Sequence, residues 1–81
     1  MKLTYDPRYN IAYLQLHEKT EQVQVETIRV SDELNVDVAP DGAVYGIELP
    51  NANMQLGSGD EGRLIVINEA LGNRQEVSLT R

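Results

Sequence analysis

The segment Val36-Asp37-Val38-Ala39-Pro40-Asp41-Gly42-Ala43-Val44-Tyr45-Gly46-Ile47-Glu48-Leu49 predicts two strands joined by a tight turn. Pro40 fixes φ at the first corner, Asp41 can bond its own backbone, and Gly42 permits a positive φ. Apolar and polar residues alternate on both flanks, so each strand has one dry face and one wet face. Gly46, inside the second strand, indicates the close approach of another backbone or of a bulky side chain.

The residues before this hairpin predict further short strands of the same kind. We expect strands at Leu3–Tyr5, Ile11–His17, Val23–Val30 and Leu34–Val38. In the third of them the apolar residues change parity halfway, and a strand cannot switch faces without an extra residue. We therefore predict a β-bulge or kink near Glu26–Thr27. With the strand that follows Gly42, these segments predict a five-stranded antiparallel meander.

The chain loses this alternation after Leu49. Residues 51–56 predict one helical turn capped by Asn51, and residues 57–62 predict a flexible glycine-rich loop. Residues 64–67 are apolar at every position, which predicts a strand covered on both sides, within a C-terminal hairpin over residues 63–81. A helix from Leu64 to Leu71, stopped by Gly72, is the alternative. The predicted fold is a single mainly β domain over residues 1–81, a small antiparallel β-meander with one short helical turn and a C-terminal hairpin, with α+β as the alternative class.

Composition excludes several classes of function. The 81 residues contain no Cys and one His, and the net charge is −6. Disulfides and thiolate metal sites are therefore excluded, and we expect no metal and no cofactor. An acidic chain whose few basic residues are scattered argues against nucleic-acid binding. The sequence has no apolar run long enough for a membrane span and no apolar segment of a signal peptide at its start, so we expect no membrane contact and a cytoplasmic location.

Several short motifs follow one another at a recognisable spacing. They are Thr4-Tyr5-Asp6, Ala12-Tyr13-Leu14-Gln15-Leu16, Val36-Asp37 through Asp41-Gly42, and Val44 with Gly46-Ile47-Glu48-Leu49 and Asn51-Ala52. In their order and spacing they resemble the bacterial family catalogued as domain of unknown function 2283, over residues 2–53. The resemblance implies a small cytoplasmic protein and supplies no catalytic residues. The chain departs from the family pattern after Met54, where a short helical end is usual.

The candidates for chemistry are a lone histidine and three carboxylates. His17 with Asp37 or Glu48 would suit a small enzyme or a ligand-binding domain, if they converge in a concave site. The structural interpretation is an exposed histidine at a strand end. Asp37, Asp41 and Glu48 lie on one hairpin, but the sequence lacks the closing acidic residue of a calcium loop, so we interpret them as solvated strand and turn residues.

We therefore favour a non-catalytic protein-interaction module, for example an antitoxin-like or regulatory partner that masks a basic protein. The apolar segments also predict a homodimer or larger assembly. An 81-residue meander has one core, and it cannot cover both faces of residues 64–67. The residues predicted at this interface are Ile11, Tyr13, Ile65 and Ile67, together with Ile28.

Overall fold

The computed structural model describes residues 1–20, 22–57 and 62–79. These residues form seven strands and one short helix: β1 (Lys2–Asp6), β2 (Ile11–Gln15), β3 (Glu26–Ser31), β4 (Leu34–Val38), β5 (Val44–Pro50), α1 (Ala52–Gly57), β6 (Arg63–Asn68) and β7 (Asn73–Ser78). The mainly β class, the single helical turn and the C-terminal hairpin are confirmed. The predicted loop at 57–62 falls largely on residues 58–61, which lie outside the described residues.

Strands β1 to β5 form one antiparallel sheet in the order β1-β2-β5-β4-β3. Within the hairpin β1-β2 and within the meander β3-β4-β5, strands that are consecutive in sequence are neighbours in the sheet. Between them, β2 pairs with β5 rather than with β3, so the strand order departs from an uninterrupted meander at one connection. The segment after β2 carries the chain to the far edge of the sheet, where β3 begins.

The register gives the sheet two faces of opposite character. A row of aliphatic residues crosses all five strands on one face, and we call this side the apolar face: Leu3, Leu14, Ile47, Val36 and Ile28. The parallel row on the other side, which we call the polar face, consists of Thr4, Tyr13, Glu48, Asn35 and Arg29. The alternation in the sequence thus becomes two separate surfaces, because successive side chains of a strand point to opposite sides.

The third strand is shorter than predicted. It begins at Glu26, and Val23 and Val25 precede it as half-buried residues of the connection. The predicted bulge near Glu26–Thr27 is wrong, because the change of parity coincides with the start of the strand and needs no extra residue. A register shift does occur between Arg29 and Ser31, where β3 turns towards β4.

The turn after β4 has the predicted geometry. The Gly42 amide donates to the Ala39 carbonyl at 2.9 Å, and the Asp41 carboxylate accepts from the Ala43 amide at 3.0 Å. Gly42 has a φ of 90°. This is a three-residue hairpin loop whose last residue adopts the left-handed conformation that glycine tolerates best.

The β1-β2 turn holds the start of helix α1. Asn10 accepts from the Ala52 amide through its carbonyl at 3.0 Å and from the Asn53 amide through its side chain at 2.7 Å. Asn51 directly precedes the helix as predicted, and its carbonyl accepts from the Met54 and Gln55 amides at 3.1 and 3.2 Å. Its side chain does not take the capping role, because it accepts from the Asn10 side chain at 3.4 Å. Among the described residues no helix is long and apolar enough to cross a membrane.

The hairpin β6-β7 closes through a four-residue turn. The Asn68 side chain accepts from two turn amides, and Gly72, with a φ of 72°, donates to the Asn68 carbonyl. The alternative helix over Leu64–Leu71 is wrong, since residues 64–68 pair with β7. Nor do the residues that the structure describes cover both sides of this strand: the exposed fractions are 40% for Leu64 and 57% for Ile67.

Gly42→Val should lower the free energy of unfolding by about 1–2 kcal/mol, because a β-branched residue resists the left-handed conformation. A Cβ at position 42 would meet no atom within 4 Å, so the cost comes from the backbone alone. Gly42→Asn is the matched control and should cost less, since Asn adopts this conformation more readily. Thermal unfolding of the two variants checks this, and equal melting temperatures for Gly42→Val and the parent would contradict it.

Candidate functional site

Three side chains from three strands meet at the centre of the polar face. The Tyr13 hydroxyl donates to Asp37 Oδ2 at 2.7 Å, and the Thr27 hydroxyl donates to Asp37 Oδ1 at 2.6 Å. Both carboxylate oxygens of Asp37 thus accept a hydrogen bond. Because a charged acceptor strengthens such bonds, this cluster links β2, β4 and β3 across the sheet.

Gly46 makes the link between Tyr13 and Asp37 possible. The register places Gly46 of β5 opposite Asp37, while Tyr13 lies opposite Glu48. The tyrosine ring must therefore cross β5 diagonally to reach Asp37. A Cβ at position 46 would overlap the Tyr13 hydroxyl and Cζ and would lie 2.7 Å from Cε2. The close approach that the mid-strand glycine predicts is confirmed, and the approaching group is the Tyr13 ring.

The environment of Tyr13 keeps its hydroxyl protonated. Desolvation, the hydrogen bond to Asp37 and the negative charges of Asp37 and Glu48 together raise the pKa of Tyr13 to about 12. All of these effects disfavour the phenolate. At neutral pH the protonated Tyr13 hydroxyl is therefore a hydrogen-bond donor to Asp37.

Glu48 differs from Asp37 in having a free carboxylate. It lies in register between Tyr13 and Asn35 at the middle of the polar face, and it is half-buried. Among the described residues, no hydrogen bond or ion pair engages the Glu48 side chain. A partly desolvated carboxylate of this kind is ready to accept from a donor outside the chain.

His17 does not join these carboxylates. It follows the end of β2, where its Nδ1 lies 3.0 Å from the Val44 carbonyl oxygen and its ring centre lies 5.2 Å from that of Tyr45. Glu48 lies opposite Tyr13, which precedes His17 by four residues. At the usual rise of a strand this separates His17 from the Tyr13–Glu48 pair by about 13 Å along the chain. The oxygens of Asp37 are engaged by Tyr13 and Thr27. The convergence that the enzyme hypothesis requires is not formed.

Asp41 has a local role in the turn that follows β4, where it accepts from the Ala43 amide. Across residues 1–20, 22–57 and 62–79, no group of three or more His, Cys, Asp or Glu side chains is arranged to hold a metal ion. The expectation that the protein binds no metal stays a prediction.

The residues predicted at an interface lie on three different surfaces. Ile11 and Tyr13 share the polar face, and Tyr13 is committed to Asp37. Ile28 is opposite Val36 on the apolar face and is 46% exposed. Ile65 and Ile67 belong to β6 of the separate hairpin. The five residues therefore do not all lie on one face of the five-stranded sheet, and the interface predicted for them stays a prediction.

Sequence reasoning named Asp37 and Glu48 but missed Thr27 and the donor role of Tyr13. Thr27 lies directly opposite Asp37, which only the strand order reveals. A signal for Tyr13 was present in Gly46, whose lack of a side chain indicated that a bulky group passes above it.

Gly46→Ala should displace the Tyr13 ring and lower the free energy of unfolding by about 1–3 kcal/mol, the usual cost of overpacking. In a Tyr13→Ala background the ring is gone, and the same alanine at 46 should cost much less. Chemical denaturation of the four proteins gives the coupling between the two sites. If Gly46→Ala lowers the free energy of unfolding equally in both backgrounds, the Tyr13 ring does not pass over Gly46.

Spectrophotometric titration should show one of the four tyrosines ionising near pH 12. The folded pKa lies above the ordinary value of 10.0, so this group should favour the folded state below pH 10 and lose that contribution as the pH rises towards 12. Asp37→Asn should bring the late ionisation closer to pH 10, since it removes a negative charge. Asp41→Asn, which alters a carboxylate of the turn, should leave it in place.

The comparisons with known proteins concern the part of the chain that forms the sheet. No curated protein and no solved structure matches the sequence. The family model described as "Protein of unknown function (DUF2283)" matches residues 2–53, which include all of β1 to β5. Since the match covers more than half of the 81 residues, the chain belongs to the DUF2283 family.

Proposed function

We propose that this protein is a small cytoplasmic, non-catalytic interaction module whose polar face binds a basic protein. Masking such a partner would give it an antitoxin-like or regulatory role. The observation that carries the proposal is the free carboxylate of Glu48 beside the hydrogen-bonded cluster of Tyr13, Asp37 and Thr27.

The cluster suits recognition better than catalysis. The raised pKa of Tyr13 keeps its proton in place at neutral pH, and both oxygens of Asp37 already accept hydrogen bonds. A general acid or base must exchange its proton near the working pH. A cluster with fixed protons instead supplies a rigid surface, which reduces the entropy that a partner's binding has to overcome.

Charge supports a basic partner. The chain carries 13 acidic and 7 basic side chains. Two of the basic residues in or beside the sheet form ion pairs, Arg8 with Asp6 and Arg29 with Asp32, so their charges are partly neutralised within the chain. The surplus is therefore negative. A partner with arginine or lysine at its contact surface would be attracted by the whole chain and would find an acceptor at Glu48.

Capture experiments with the immobilised protein and an extract of its native cell test this proposal. The unmodified chain should retain a protein of basic isoelectric point, and moderate salt should weaken retention, because exposed charges are screened. Glu48→Lys should reduce retention at least tenfold, since it reverses the charge at the centre of the face.

Glu33→Lys is the matched control. It makes the same charge change at an exposed position in the β3-β4 turn, whose side chain takes no part in the cluster. It should retain the partner nearly as well as the unmodified chain. If both variants lose retention equally, the effect comes from net charge and not from the polar face. If Glu48→Lys leaves retention unchanged, the polar face has no role in binding.

A further inference from the structure

Apart from the fully buried Ala12 of β2, the apolar face lacks a covering layer. Ile47 lies at the middle of this face, on the central strand β5, where full burial would be expected. It is only half-buried, as are its cross-strand neighbours Leu14 and Val36. Ile28, at the edge, is 46% exposed. A sheet with aliphatic residues on one face normally buries that face against a second layer.

The chain does not supply that layer from its described residues. Helix α1 has six residues and is about 9 Å long, whereas five strands span about 19 Å. Among the described residues, those classed as buried and hydrophobic are Ala12, Ala39 and Ala52, and no large side chain is fully buried. Three alanines are too little for a hydrophobic core.

The accessible surface of the whole chain is larger than that of a typical folded monomer of its mass. The chain exposes 6368 Å², whereas a folded monomer of 9.1 kDa is expected to expose about 4,900 Å². The excess of about 1,500 Å² is larger than the roughly 800 Å² that each partner buries in a stable protein–protein interface. This excess belongs to the whole chain, the β6-β7 hairpin included, and it is large enough to accommodate the contact of a specific dimer.

We propose that the apolar face is covered by the same face of a second copy, giving a two-layer β-sandwich with two-fold symmetry. The aliphatic row is complementary to itself, since residues of similar size and no charge meet across the axis. Two copies of net charge −6 repel each other, but the carboxylates Asp37 and Glu48 point away from this contact, on the polar face.

This contact goes beyond the proposed recognition of a basic protein and uses the opposite side of the sheet. It includes Ile28 of the five predicted interface residues and leaves Ile11 and Tyr13 on the outer surface of the sandwich. The dimer would present two polar faces, one on each side.

Cross-linking through single cysteines tests the contact without disturbing the core, because the chain has no Cys of its own. Val36→Cys and Asn35→Cys are neighbours on β4 with side chains on opposite faces. At micromolar concentration a short bismaleimide should convert Val36→Cys to a species of about 18 kDa, twice 9.1 kDa, and should leave Asn35→Cys at the monomer mass. Equal cross-linking of both variants, or cross-linking of Asn35→Cys alone, would overturn the proposal.

Sedimentation equilibrium provides the second measurement. The unmodified protein should be a dimer, and Ile28→Asp should weaken dimerisation at least tenfold, as expected for a charge placed in an apolar contact. Ile11→Asp is the matched control on the polar face, where the isoleucine is 37% exposed, and it should remain a dimer. A monomeric unmodified protein would overturn the proposal, as would dissociation by Ile11→Asp but not by Ile28→Asp. Since Glu48 lies on the other face, the capture experiment succeeds or fails independently of this one.

Discussion

The pairing of β2 with β5 is the contact on which the rest of the sheet depends. It joins the N-terminal hairpin to the β3-β4-β5 meander, and it sets Leu14 opposite Ile47 and Tyr13 opposite Glu48. A shift by one residue would exchange the two faces along the whole of β2. The aliphatic row and the polar cluster therefore exist only in this register.

The two faces present different side-chain chemistry on one layer of backbone. On the polar side, Asp37 connects β2 and β3 through Tyr13 and Thr27, two bonds that rigidify the surface around Glu48. On the apolar side, the aliphatic row gains its full stabilisation only when water is removed from it. A single sheet cannot bury its own face, so the dimer proposed above would link folding to assembly.

Local sequence predicted the features that depend on a few neighbouring residues. The Pro40–Gly42 turn formed as expected because its dihedral angles are set by those residues themselves. The prediction for residues 23–30 was partly wrong, because strand formation there requires a partner, and β4 pairs with the chain only from Glu26 onward. The bonds from Asn10, in the β1-β2 turn, to the start of α1 were not foreseeable from sequence spacing, because they depend on the pairing of Ile11 with Pro50.

By itself, the sequence determined an acidic, mainly β chain without cysteine, whose strands have one apolar and one polar side. It also indicated that something bulky crosses Gly46. The tertiary structure alone decided that Tyr13 is this group, that Thr27 completes the cluster, and that His17 stays apart from Asp37 and Glu48. The physical reason is that alternation fixes which side a residue faces, whereas the strand order and register fix which residues become its neighbours.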